Sequence, residues 1–278
     1  MTGVLLGSYS YAEFFGTSLA FLPALGVSHL RHRHDPTQRM PGRWMRRFGR
    51  TTSRLTPVWQ FSVDGTPPPD IMKNAYVVIA NHESTADPFL LSWLPWDMRW
   101  IAKAELFRLP LIGALMRFGG DIPLERGVRD SVERMLAECR RTLDAGMPIM
   151  MFPEGTRSPD GRMLPFKNGA FQLALEAQVP VLPVALAGTR NCRPKGSSWF
   201  GQARAHARVL EPITTRGLGV GDVDLLRDLA RRRIAEALPA VRELVGVPPG
   251  ELDSLEPSAV ALHMPVPRQA QHTASHAA

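Results

Sequence analysis

The chain has 278 residues, 44% of them hydrophobic and 21% charged, which excludes a disordered or fibrous protein and leaves enough apolar residues for a sizeable core. The net charge of +7 sits between Leu30 and Arg54, where eight arginines face one acid, Asp35. The remaining 25 bases and 25 acids balance, so the protein reads as a near-neutral globule with one basic stretch.

Residues 1–28 carry a single charge, Glu13. The apolar run from Phe14 to Val27 is shorter than the roughly 20 residues that span a bilayer, and Gly16, Pro23 and Gly26 interrupt it. The start lacks the basic residues of a secretory signal. A helix or short re-entrant hairpin lying in a membrane interface fits better, with the arginine-rich stretch as a second anchoring signal. Nucleic-acid binding or a solvated basic helix would account for the arginines but not for the apolar half. Residues 1–54 are therefore expected to form a membrane-interfacial helical segment on an anionic membrane surface, with no nucleic-acid partner.

The middle of the chain alternates strand and helix signals. Candidate strands are 59–63, 76–80, 98–102, 120–124, 148–152, 179–186 and 203–210. Helical spacing runs through 129–145, with Val132, Met135, Leu136, Cys139 and Leu143 on one face and Gly146 as a stop. Shorter helical patterns cover 168–178 and about 222–238. This alternation predicts an α/β fold over 55–245, with a mixed, mainly parallel sheet flanked by helices. Residues 246–278, with several prolines and no periodicity, read as a disordered tail. Two isolated cysteines, Cys139 and Cys192, supply neither a disulfide framework nor a zinc pattern and fit a reducing compartment.

Ligands of such sheets collect beyond the carboxyl ends of the strands, and three polar segments fall there. The strand at 76–80 runs into NHESTAD, where His82 can exchange a proton near neutral pH. Asp87 follows five positions later, so the two side chains meet only if one lies in a turn. Asp-Pro at 87–88 is a good helix start, which places His82 in the preceding turn. On spacing alone, a hydrogen-bonded pair and a capped turn with a bystander histidine stand level. The strand at 148–152 runs into FPEGTRS, where Gly155 lets backbone approach a ligand and Arg157 offers a fork suited to phosphate. The strand GDIPL leads into Glu125 and Arg126, Lys103 follows the strand at 98–102, and Lys167 precedes a helix. No GxSxG, HExxH, CxxC or GxGxxG motif is present, so a covalent acyl-enzyme has no obvious nucleophile.

Four blocks in order, NHESTAD, GDIPLER, FPEGTRS and VPVLPVAL, make the chain resemble the 1-acylglycerol-3-phosphate acyltransferases, the lysophospholipid acyltransferases of membrane lipid synthesis. AKAEL and FKNGA add to the likeness, which covers roughly residues 55–215; Pro123 stands where the family often has an aromatic residue. The resemblance implies that His82 is a general base on the acceptor hydroxyl and that Asp87 holds its imidazole. It implies binding of the acceptor phosphate by Lys103, Arg126, Glu154, Gly155, Thr156 and Arg157, with Lys167 a further candidate. The co-substrate would be an acyl thioester on coenzyme A or acyl carrier protein, with no metal or redox cofactor. The product of the default acceptor, 1-acylglycerol-3-phosphate, would be phosphatidic acid. Another lyso-lipid acceptor, or a thioesterase using the same pair on water, stays open beside this reading. The location implied is the cytoplasmic face of a membrane, peripheral or monotopic.

Overall fold

The computed structural model describes residues 2–193 and 200–247; the expected tail beyond Val247 lies outside them. Seven strands form one sheet: β1 (Trp59–Asp64), β2 (Val77–Ala80), β3 (Arg99–Lys103), β4 (Ile122–Leu124), β5 (Ile149–Met151), β6 (Val181–Ala187) and β7 (Ala203–Val209). Their order is β1-β7-β6-β2-β5-β3-β4. All neighbours run parallel except β6 and β7, so the expected mixed, mainly parallel α/β sheet is the observed one.

The apolar runs form strands because both faces are covered. On β2, Val77 and Ile79 join one core cluster, packed by α5 (Arg129–Asp144), α6 (Gly169–Ala177) and α7 (Val223–Val245). Val78 and Ala80 join the other, with Leu90 and Leu91 of α3 (Asp87–Leu91). Proline is rare in a central strand because it cannot donate to the ladder. Pro183 of β6 is tolerated because the pairing with β7 begins one residue later, at Val184, and its carbonyl still accepts Leu210 N–H at 3.0 Å.

Residues 2–55 form a helical hairpin, α1 (Thr2–Arg31) and α2 (Arg39–Leu55). Pro23 and the glycines do not interrupt α1, which is a single 30-residue helix. The hairpin packs on α3 and α4 (Ile112–Gly119) through Leu25, Phe48 and Leu115, and burying each such side chain contributes about 1.5–3 kcal/mol. The basic stretch is partly turned inward. Arg43 and Arg46 bond the fully buried Asp97, with N–O distances of 2.9–3.1 Å, and Arg50 and Arg54 both stack on Trp93.

The faces of α1 are mixed. Ser10, Thr17, Ser18 and Ser28 are buried, while Phe15, Leu19, Val27 and Leu30 are each more than half exposed. Ala12 and Pro23 continue this outer stripe, which carries no acid or base from Ala12 to Leu30. No helix among the described residues is long and apolar enough to cross a membrane.

Candidate active site

The parallel strands β2 to β6 present their carboxyl ends on one edge of the sheet. β2 ends at Ala80, and the turn 81–86 delivers the chain into α3. Asn81 fastens this turn to β6, donating Nδ2–H to Leu186 O and accepting Leu186 N–H, both at 2.9 Å. His82 follows, with its ring stacked on Phe152 at 4.0 Å between centroids.

His82 Nδ1 lies 2.6 Å from Asp87 Oδ2, so the turn joins the two residues across their five-residue separation. Asp87 begins α3, but its carboxylate does not cap that helix. It turns back and accepts Glu83 N–H at 2.9 Å and Ser84 N–H at 3.1 Å, together with the Thr189 hydroxyl. An acceptor-only carboxylate on Nδ1 fixes the proton there and leaves the lone pair on Nε2, which bonds no described residue. The His82 side chain keeps 16% of its surface exposed, whereas Asp87 is fully buried.

Glu154 is held away from solvent. Its carboxylate accepts His82 N–H at 2.8 Å and Leu164 N–H at 3.0 Å, and burial pushes it up to about 7. It therefore ties the segment after β5 to the histidine turn through backbone. Ser158 N–H completes the tie at 2.9 Å to His82 O. Gly155 adopts φ +69°, and a β-carbon there would sit 3.1 Å from Lys167 Nζ, so the lysine amine lies over the glycine backbone. Thr156, Arg157 and Lys167 are exposed beside it.

Lys103 ends β3, and its ammonium lies 3.6 Å from Glu105. Arg126 follows β4, exposed. With strands about 4.8 Å apart, the end of β4 lies about 14 Å from that of β2, a gap that long cationic side chains can narrow. Arg157 follows β5, Lys103 ends β3 and Arg126 follows β4, the three strands on one side of β2. On the other side, β6 is followed by Gly188, whose φ of +93° places Thr189 under Asp87; a β-carbon on Gly188 would meet Arg204 O at 2.0 Å. Two residues here had drawn no attention in the sequence. Glu83 lies inside NHESTAD and accepts Gly188 N–H at 3.0 Å, and Thr189 follows VPVLPVAL by three positions. Their signal was a place two or three residues past a buried strand. Glu83 is buried, and burial followed by the Asp87 charge pushes its carboxyl up to about 7.

Residues 61–187 match the family described as Acyltransferase. These residues are an acyltransferase-family domain. Its likeness extends to a 1-acyl-sn-glycerol-3-phosphate acyltransferase of Chlamydomonas reinhardtii, 36% identical over 66% of this chain and 53% of the relative. A chloroplastic 1-acyl-sn-glycerol-3-phosphate acyltransferase of Brassica napus is 38% identical over 59% of this chain and 47% of its own length. The chain thus spans about half the length of these curated relatives. Among solved structures, the 1-acyl-sn-glycerophosphate (LPA) acyltransferase PlsC of Thermotoga maritima superposes with a TM-score of 0.66 at 27% identity, over 84% of this chain and 95% of that one. The acyltransferase-family domain carries His82, Asp87, Lys103, Arg126, Glu154, Arg157 and Lys167; Thr189 falls just past its end.

Proposed function

We propose that the chain transfers a fatty acyl group from an acyl thioester to the free hydroxyl of 1-acylglycerol-3-phosphate, giving phosphatidic acid. The observation that carries this reading is the His82 Nδ1–Asp87 Oδ2 contact of 2.6 Å at the strand edge that also bears Arg157, Lys103 and Arg126. His82 Nε2 takes the proton of the acceptor hydroxyl as its oxygen attacks the thioester carbonyl carbon. The tetrahedral intermediate collapses, the carbon–sulfur bond breaks, and the leaving thiolate takes the proton back from the imidazolium. Asp87 compensates the charge that His82 gains in between. Arg157, Lys103 and Arg126 draw the acceptor phosphate to one side of the base, and positioning of this kind contributes more than the proton transfer itself.

The outer face of α1 supports an acceptor met at a lipid surface. Its exposed stripe of Phe15, Leu19, Val27 and Leu30 is an apolar patch of the kind that enters an interface. The acyl carrier is coenzyme A or acyl carrier protein. Purified full-length chain given a labelled acyl-coenzyme A or acyl carrier protein and a panel of lyso-acceptors, with products read by mass spectrometry, tests the proposal. Diacyl product formed preferentially from 1-acylglycerol-3-phosphate and lost in His82→Ala is the expected result. Thioester cleavage indifferent to every acceptor would instead make the chain a thioesterase.

A further inference from the structure

Behind the His82–Asp87 pair lies a second, buried carboxyl that the reaction above does not use. Thr189 is fully buried, and its single hydroxyl touches both acids: Asp87 Oδ1 closely, and Glu83 Oε2 at 3.4 Å. One hydroxyl has one proton and can donate to only one of them. Asp87 already serves His82 through its other oxygen. Two carboxylates and one hydrogen between them therefore form an ordered chain only when Glu83 supplies a proton of its own. The charged or titratable groups facing Glu83 are Asp87 and His82 from its own turn, Cys192 and Arg190 from the turn after β6, and Arg242 from α7. Arg242 lies close enough to lower the Glu83 carboxyl, but burial outweighs it. The Arg190 guanidinium is turned to the carbonyls of Pro159 and Asp160.

We propose that Thr189 and Glu83 are positioning residues for the base, forming a relay Glu83–Thr189–Asp87–His82 that steers the Thr189 proton onto Asp87 when Glu83 is neutral. In that state Glu83 O–H donates to Thr189 Oγ1, Thr189 O–H donates to Asp87 Oδ1, and Asp87 Oδ2 accepts His82 Nδ1–H. When Glu83 loses its proton to solvent, the Thr189 hydrogen is contested, and Asp87 loses its fixed partner. The firmness with which the imidazole is held then follows the protonation of Glu83 rather than of His82 alone. This inference rests on the acyltransferase reading for its kinetic consequence, but its structural consequence can be measured without any substrate.

The test uses the full chain with Thr189→Val, which keeps shape and removes the hydroxyl, Thr189→Ser, which restores it, and Glu83→Gln, which stays neutral and can still donate. The first readout is the His82 Nδ1 proton in nuclear magnetic resonance, assigned by its loss in His82→Ala. Its exchange with water is expected to accelerate at least tenfold in Thr189→Val and to stay as in wild type in Thr189→Ser and, below pH 6, in Glu83→Gln. The second is the pH profile of transfer to 1-acylglycerol-3-phosphate. Thr189→Val should lose about tenfold in kcat with the acceptor KM within twofold, about 1.4 kcal/mol in the barrier. Glu83→Gln should lose an inflection near pH 7 that wild type and Thr189→Ser share. Unchanged proton exchange in Thr189→Val overturns the relay, whether or not the chain turns over a thioester. If Thr189→Val does not fold, Glu83→Gln decides: a wild-type pH dependence of the Nδ1 proton in that variant refutes the proposal. Altered exchange with no acyl transfer in wild type would keep the relay and sink the proposed reaction.

Discussion

Replacing Asp87 by asparagine removes one charge and almost no volume. The carboxylate takes His82 Nδ1–H, Glu83 N–H and Ser84 N–H on one side and the Thr189 hydroxyl on the other. An amide has one accepting oxygen, so its nitrogen must face the partner that can reverse. The imidazole could reverse by changing tautomer, but Glu83 N–H and Ser84 N–H share its side and cannot, so the amide oxygen stays there and the Thr189 hydroxyl turns to accept. Asparagine thus keeps the imidazole orientation and tautomer but withdraws the countercharge that the imidazolium needs during transfer. Two unit charges about 4 Å apart at an effective dielectric of about 20 interact by about 4 kcal/mol. The partial exposure of His82 lowers this to about 3 kcal/mol, roughly a hundredfold in kcat at about 1.4 kcal/mol per decade. The assay is thiol release from the acyl thioester with and without acceptor, alongside a thermal midpoint within 3 °C or so of wild type to show that the fold survives. A folded Asp87→Asn protein that turns over within threefold of wild type would refute the pairing as the source of basicity.

Asp97→Asn should loosen the hairpin from the core. A broken buried ion pair costs about 3–5 kcal/mol, and the partial exposure of Arg43 and Arg46 reduces that to about 2–4 kcal/mol, or roughly 5–12 °C in thermal midpoint by calorimetry. Glu154 gives a pH signature. Its folded carboxyl stands near 7 against an ordinary value of 4.5, so the stability it contributes is complete below about 4.5 and lost as pH rises through about 7. The gap in thermal midpoint between wild type and Glu154→Gln should shrink from pH 4.5 to pH 8, and a constant gap would contradict the burial argument. On the outer face of α1, Phe15→Glu with Leu19→Glu should cut sedimentation with anionic vesicles at least tenfold while leaving the thermal midpoint unchanged. Undiminished binding would move the lipid contact elsewhere. These substitutions are cleaner than deleting residues 1–54, because Leu25 and Phe48 of that segment are core residues.

β2, β5 and β6 were legible because burial on both faces imposes unbroken apolar runs, and every observed strand boundary falls within two residues of its expected one. Helix α5 was equally plain from its 3.6-residue stripe. α1 was not, because its faces are mixed: serines and threonines face the protein beside Leu25, large apolar residues face outward, and Pro23 sits on the open side. α7 runs through Pro239 to Val245, past the point where its pattern faded at Leu238. At the site, His82 and Asp87 share one short motif and were found together. The Thr189 contact joins residues 102 apart, and Arg43 to Asp97 joins residues 54 apart, distances over which no periodicity speaks. Glu154 shows a different limit. Its block was legible, but only the backbone geometry shows that its carboxylate joins two N–H groups of separate segments.

β4 has a consequence for how copies of this protein tolerate crowding. It is a three-residue strand at the margin of the sheet, and its middle residue, Pro123, is exposed. A margin strand is an open template on which a neighbour's backbone can dock and propagate an aggregate. Here the template is barely one peptide long and lacks a donor at its centre. Where the resemblance led one to expect an aromatic residue at this position, proline acts as a stopper: it gives up a side chain that would pack and makes the margin unreadable to a second sheet.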